Sequence, residues 1–172
     1  MNRVYLLLGS NLEPERNLPA AVGRLRGHGL IAVSSAYETP PVGTEHPAVF
    51  LNAAALIETS LGPEAVKREV CHHIETSLGR VRDPDDKFAS RTIDLDIALW
   101  NDEILIVLGS VVPDPDILRH LHAARPLADL APNLLHPGDG RTLGAIAGAL
   151  ESAGESRHFP RPRPDVILAA RS

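Results

Sequence analysis

The residues with the clearest chemical potential stand in one short run, Arg91-Thr92-Ile93-Asp94-Leu95-Asp96-Ile97-Ala98-Leu99. Its alternation of apolar and polar side chains predicts a strand over 92–100, because successive side chains of a strand point to opposite faces. Ile93, Leu95, Ile97 and Leu99 would then face one core. Asp94 and Asp96 would share the other face, with Cα atoms roughly 6.6–7 Å apart. Two carboxylates that close repel each other unless a cation or an arginine lies between them. Mg2+ takes oxygen ligands and is typically held by one or two carboxylates plus substrate phosphates, so the pair could seat one or two Mg2+ ions on a polyphosphate. A bare Asp-x-Asp fits the solvated outer face of an amphipathic strand equally well. The neighbours tilt the balance: Arg80 and Arg82, then Lys87 and Arg91, flank the carboxylates within one loop. Guanidinium groups bind phosphate oxygens as a bidentate fork, and phosphoryl transfer depends mostly on positioning and charge neutralisation. The sequence has no Gly-x-x-x-x-Gly-Lys and no Gly-x-Gly-x-x-Gly, so a nucleotide must be held in some other way.

A second candidate group is Ser34-Ser35-Ala36-Tyr37-Glu38-Thr39-Pro40-Pro41-Val42-Gly43 with Phe50-Leu51-Asn52. Two consecutive prolines stiffen a loop whose backbone groups can address a flat heterocycle. Phe50 could stack on that ring and Asn52 could pair with it as donor and acceptor. A plain turn beside a core Phe reads the same way.

The elements that must position these residues follow from periodicity and punctuation. Strands are predicted over 3–8, 31–37, 50–58 and 92–100, with a short edge strand over 104–107. Helices are predicted over about 14–26, with Pro14 in the first turn, and about 63–78, opened by Pro63 and closed by Gly79. Short helices follow over about 116–122, 124–130 and 142–150. This β-α-β-β-α-β order predicts an α+β ferredoxin-like sandwich, an antiparallel sheet with helices on its faces. Residues 1–150 read as a single domain. Residues 151–172 read as an Arg/Pro-rich C-terminal tail, extended by its alternate prolines and loose or draped on the surface.

Composition closes off other classes. The 172 residues are 44% apolar with few aromatics, enough for one aliphatic core. No apolar run reaches the 18 residues of a membrane span, and the start has too short an apolar run for a signal peptide. Cys71 is the only cysteine, which excludes disulfide scaffolds and Cys-based zinc sites and suits the cytoplasm. A net charge of −5 gives no general reason to bind nucleic acid. No partner chain or membrane is expected, and a monomer is the default.

The stretches Leu8-Gly9-Ser10-Asn11-Leu12, Ser34-Ser35-x-Tyr37-x-Thr39-Pro40-Pro41-x-Gly43, Phe50-Leu51-Asn52-Ala53, Gly79-Arg80-Val81-Arg82, Arg91-Thr92-Ile93-Asp94-Leu95-Asp96-Ile97 and Pro126-Leu127-Ala128-Asp129-Leu130-Ala131-Pro132 resemble, in order and spacing, the 6-hydroxymethyl-7,8-dihydropterin pyrophosphokinases of folate biosynthesis. The resemblance covers about residues 3–149. It implies the ferredoxin-like fold, ATP as co-substrate, two Mg2+ ions and transfer of pyrophosphate to a pterin hydroxymethyl group. It implies Asp94 and Asp96 as metal ligands and, with Arg82 and Arg91, as the catalytic set. Thr39, Pro40, Val42, Phe50 and Asn52 would line the pterin slot. Glu75, Arg80, Arg82 and Arg91 would contact ATP or the moving phosphates, and Ile97 the adenine.

The chain departs from the family pattern at several of these positions. Lys87-Phe88-Ala89-Ser90 replaces the usual Arg-Trp-Gly-Pro before Arg91-Thr92. Asp114 stands where a nucleotide-binding His is expected, His72 where a Gln is, and His120 where an Arg is. His122 replaces the second aromatic wall of the pterin slot. His120, His122 and Asp114 could alternatively form a transition-metal site, against which stands the tendency of i,i+2 side chains on a helix to point apart. The resemblance leaves two other readings in play: a divergent paralogue using another pterin or nucleotide, and a non-catalytic ferredoxin-like ligand-binding module.

Overall fold

In this computed structural model, which describes residues 1–39, 49–81, 92–153 and 160–168, the site is built on one antiparallel sheet. β1 (Asn2–Ser10) lies at its centre, paired on one side with β4 (Phe50–Thr59) and on the other with β5 (Asp94–Trp100). Beyond β4 lie β2 (Leu30–Val33) and β3 (Tyr37–Thr39), both antiparallel to it. The β1-α1-β2 and β4-helix-β5 crossovers thus interleave, which is the ferredoxin-like arrangement expected from the element order. No helix of the described residues is long and apolar enough to cross a membrane.

The sheet is buried on both faces. Val4, Leu6 and Leu8 of β1 and Ala53, Ala55 and Ile57 of β4 pack on one side with Leu18, Ala21, Val22 and Leu25 of α1 (Pro14–Leu25). A second helical stretch, residues 63–77, covers the same face. It starts as α2 (Pro63–Ala65), widens into π-helical winding over Val66–His72 and ends as α3 (His73–Ser77). Tyr5, Ala54 and Leu56 point the other way, onto α4 (Leu121–Leu130) and α5 (Leu143–Ser152).

Several elements differ from expectation for identifiable reasons. The strand expected over 31–37 is split into β2 and β3, because the Ser34 hydroxyl accepts the Ala54 N–H at 2.9 Å in place of a ladder carbonyl. In β5 the alternation holds through Ile97, but Leu99 joins the opposite core cluster from Ile93, Leu95 and Ile97. A bulge is the cause: Tyr5 pairs with Leu99 and Leu6 with Ile97, so Ala98 is the extra residue. The segment expected to be helical over 116–122 is a 3-10 turn, Pro115–Leu118, followed by an extended His120 that precedes α4. Pro126 is absorbed inside α4, which therefore runs unbroken where a separate helix over 124–130 was expected. The edge strand expected over 104–107 is half of a separate hairpin of β6 (Leu105–Val107) and β7 (Ser110–Val112). Its two-residue turn, Leu108-Gly109, has φ of 49° and 86°, the left-handed backbone that such tight hairpin turns require.

The Arg/Pro segment is extended where it is described. β8 (Arg161–Pro162) pairs with β3, and Val166 and Leu168 are buried against the main core. Arg163 ties it down through Glu38 at 2.7 Å and Glu15 at 3.5 Å.

Candidate active site

Strand register brings the two sequence-predicted groups together. Gly9 pairs with Asn52 on one side and with Asp94 on the other, so the three stand abreast across β4, β1 and β5. A Cβ at Gly9 would lie 3.2 Å from Asn52 Oδ1, so the missing side chain leaves space between the amide and the carboxylate. Asp96 pairs with Leu7 two residues further along β5. These residues open into a cavity of about 300 Å³, lined also by Thr39, Phe50, His122 and by Asp114 and Asp116. A second cavity of about 330 Å³ shares Asp96 and Asp114 and adds Lys67, Ile97 and the β7 residues Ser110, Val111 and Val112.

The carboxylate side is held by cations. Arg80 Nη1 donates to Asp94 and forms an ion pair with Glu75 at 2.8 Å. Lys67 Nζ donates to Asp96 Oδ1 at 2.7 Å. Burial pushes the Lys67 ammonium towards losing its proton, but the attraction of Asp96 outweighs this and holds it above its ordinary value. Arg80 follows the same pattern, with Asp94 offsetting its burial. Glu75 is only 2% exposed. Its carboxylate accepts the Leu95 N–H at 2.8 Å, yet burial still raises it above the usual carboxylate range. Glu75 therefore lies beneath the site and lines neither cavity.

Asp114 is fixed by the bulge. The Ala98 carbonyl, displaced by the extra residue, accepts the Asp114 N–H at 2.9 Å. The Asp114 carboxylate in turn caps the 3-10 turn by accepting the Asp116 N–H at 2.9 Å. Burial raises Asp114 despite that bond, and Asp116 and Asp96 add to the effect.

The ring side is held by neutral hydrogen bonds and by histidines. Asn52 Nδ2 donates to Thr39 Oγ1 at 2.7 Å, a fully internal pair that leaves the Asn52 carbonyl beside Gly9. His122 is half-buried and stacks on His120, with ring centroids 5.3 Å apart and planes 12° from parallel. This stacking is possible because His120 precedes the first helical residue, so the expectation that the two rings point apart fails. Burial, then the adjacent His120, lowers His122 below the ordinary imidazole range, while Asp116 acts weakly the other way from 4.0 Å. Among the described residues no group of three or more His, Cys, Asp and Glu is arranged to hold a metal ion by itself, which leaves the His120/His122/Asp114 alternative without support.

Of the other expected site residues, Ile97 lines the second cavity, whereas His72, on the π-helical stretch, and His120 line neither. Pro40, Val42, Arg82 and Arg91 lie outside the described residues.

A family model described as 7,8-dihydro-6-hydroxymethylpterin-pyrophosphokinase matches residues 5–132. This chain belongs to that family. It is 37% identical over 161 residues to the 2-amino-4-hydroxy-6-hydroxymethyldihydropteridine pyrophosphokinase of Pseudomonas aeruginosa, covering 91% of this chain and 97% of that protein. It is 41% identical over 133 residues to the Bacillus subtilis protein of the same name, covering 75% of this chain and 78% of the relative. A crystal structure of Plasmodium falciparum HPPK-DHPS with pteroate matches the fold with a TM-score of 0.67 at 12% identity. That match takes in 91% of this chain but only 43% of the longer one. Pyrophosphokinases of this family use ATP as co-substrate.

Two residues that line these cavities were not anticipated, Lys67 and Asp116. Asp116 continues the Pro113-Asp114-Pro115 alternation and could have been read from it. Lys67 gave no signal in α-helical periodicity, because the winding that brings it to β5 is not α-helical.

Proposed function

We propose that this chain transfers the terminal diphosphate of ATP to the hydroxymethyl group of 6-hydroxymethyl-7,8-dihydropterin, giving AMP and the pterin diphosphate. The observation that carries the reading is the single cavity in which Asp94 and Asp96 stand beside Thr39, Phe50 and Asn52. The pterin hydroxymethyl oxygen attacks the β-phosphorus, forms the new O–P bond and loses its proton to solvent. The bond from the β-phosphorus to the α,β-bridging oxygen breaks, and AMP leaves with that oxygen and the electron pair.

The donor set fits Mg2+: two carboxylates on one strand face, each already drawing a cation, with Asp114 next to them. Asp94 and Asp96 would hold the ions. Held there, Mg2+ would supply Lewis-acid charge neutralisation to the phosphates. Asn52 Oδ1 and the Phe50 ring orient the pterin, with His122 closing the slot. Arg82 and Arg91 supply further positive charge to the phosphates. Ile97, Val111 and Val112 offer an apolar wall for the adenine. A nucleoside triphosphate co-substrate supports a cytoplasmic location.

Incubating the chain with MgATP and the hydroxymethyl dihydropterin, then resolving the nucleotides by chromatography, tests the reading. AMP formed only when the pterin is present is the expected result. ADP would mean transfer of a single phosphoryl group, and no turnover would favour a binding module.

A further inference from the structure

We propose that Lys67 is a nucleotide-phosphate-binding residue of this chain, parked on Asp96 while the site is empty and released to the triphosphate when a divalent ion takes that carboxylate. The inference rests on the reaction proposed above and adds to it a residue and an order of events.

Lys67 is unusual in how it reaches β5. Eight residues separate it from Glu75, which is about 2.2 turns of an α-helix and would leave the two side chains about 80° apart. The π-helical winding over Val66–His72 has a wider turn, with i→i+5 hydrogen bonding, and returns both to one face. They then grip the same strand residue. The Leu95 N–H donates to Glu75, and the Leu95 carbonyl accepts from Lys67 Nζ at 2.8 Å. Leu95 sits between the two aspartates, on the outer edge of the sheet, where backbone groups would otherwise lack strand partners.

The ammonium does more than cover that edge. It contacts Asp96 Oδ1 at 2.7 Å and its side chain is 12% exposed, yet it also lines the second cavity beside Ile97 and Asp114. A divalent cation on Asp96 would meet this ammonium at close range, and like charges on one carboxylate repel. The flexible four-carbon stem lets the charge turn into the adjoining cavity, towards the phosphates that arrive with the ion. Lys67 thus holds Asp96 aimed in the empty protein, and counters phosphate charge in the filled one.

The experiment measures two affinities on the full-length chain and on Lys67→Met and Lys67→Arg. Calorimetry gives ATP affinity at fixed Mg2+, and electron paramagnetic resonance of free Mn2+ gives metal affinity without nucleotide. Loss of one charged hydrogen bond should weaken ATP binding to Lys67→Met by about tenfold to a hundredfold. Removing the competing ion pair should tighten Mn2+ binding by about twofold to fivefold. Lys67→Arg should stay close to wild type in ATP binding. These opposite signs separate the proposal from a structural role, which would lower both affinities together. If Lys67→Met does not fold, Lys67→Gln, which retains a donor for the Leu95 carbonyl but no charge, carries the same two measurements. Unchanged ATP affinity, or weakened metal binding, in a folded uncharged variant would overturn the proposal. Absence of ATP binding by the wild type would instead overturn the proposed reaction.

Discussion

The two halves of the cavity are organised by different physics. On the β5 side carboxylates meet cations: Asp94 with Arg80, Asp96 with Lys67, and Glu75 with Arg80 and a backbone N–H. On the β3–β4 side the fixed polar contact is the neutral Asn52–Thr39 bond, flanked by the Phe50 ring and a half-buried imidazole. Under the proposed reaction, one half would take a polyanion with its metal and the other a flat, neutral heterocycle. Gly9 joins them, since its register partners are Asn52 and Asp94. A transfer site needs both halves in contact, so that an alcohol on the ring meets phosphorus on the chain of phosphates.

Substitutions that affect one half and spare the other put this division to the test. The largest effect is expected at Asp96. Asp96→Ala should slow turnover on the order of 10² or more, the scale for losing charge stabilisation at a transferring group, while pterin affinity remains near wild type. Asp94→Ala should do the same. Steady-state rates alongside pterin calorimetry check both, and near-normal turnover in either variant would remove the pair from the reaction.

How far the two halves could be read from sequence also differs. Asp94 and Asp96 were legible because a strand has a strict period of two, and the flanking basic residues marked them as more than a polar face. That period gave a wrong side for Leu99, because the bulge at Ala98 shifts the register and no residue type announces it. Lys67 was hidden for the same kind of reason: π-helical winding changes the period without changing composition. Phe50 and Asn52 were legible as a motif, but their meeting with Asp94 depends on Gly9 pairing to both sides, a long-range fact. His120 and His122 were misjudged because α4 starts only at Leu121, which leaves His120 extended where a helix over 116–122 would have wound it.

Next in size is Phe50→Ala. If the ring stacks on the pterin, its loss should weaken pterin binding by roughly 1–3 kcal/mol, the scale of base–aromatic stacking, and leave ATP binding unchanged. Equal losses for both ligands would make Phe50 a packing residue shared by the two halves.

The smallest effect concerns His122. Its imidazole is held below the ordinary value of about 6.5, so it is neutral at pH 7 and the unfolded chain takes up the proton first as the pH falls. Acidification through that range therefore costs stability, and the cost should vanish in His122→Phe. The same variant should keep or tighten pterin affinity and flatten its dependence on pH between 5.5 and 8. Superimposable binding curves for wild type and variant would leave His122 without a part in the slot.

The central claim, one cavity with a metal-phosphate half on β5 and a pterin half on β3–β4, is tested most directly by diffraction from crystals grown with Mn2+, a non-hydrolysable ATP analogue and the hydroxymethyl pterin. Anomalous scattering locates the metal independently of the protein trace. The account predicts Mn2+ peaks in coordination contact with Asp94 and Asp96, the pterin ring against Phe50 and Asn52, and Lys67 Nζ turned from Asp96 to a phosphate oxygen. Mn2+ bound at Asp114 and Asp116 instead, with Lys67 and Arg80 still holding Asp96 and Asp94, would contradict it.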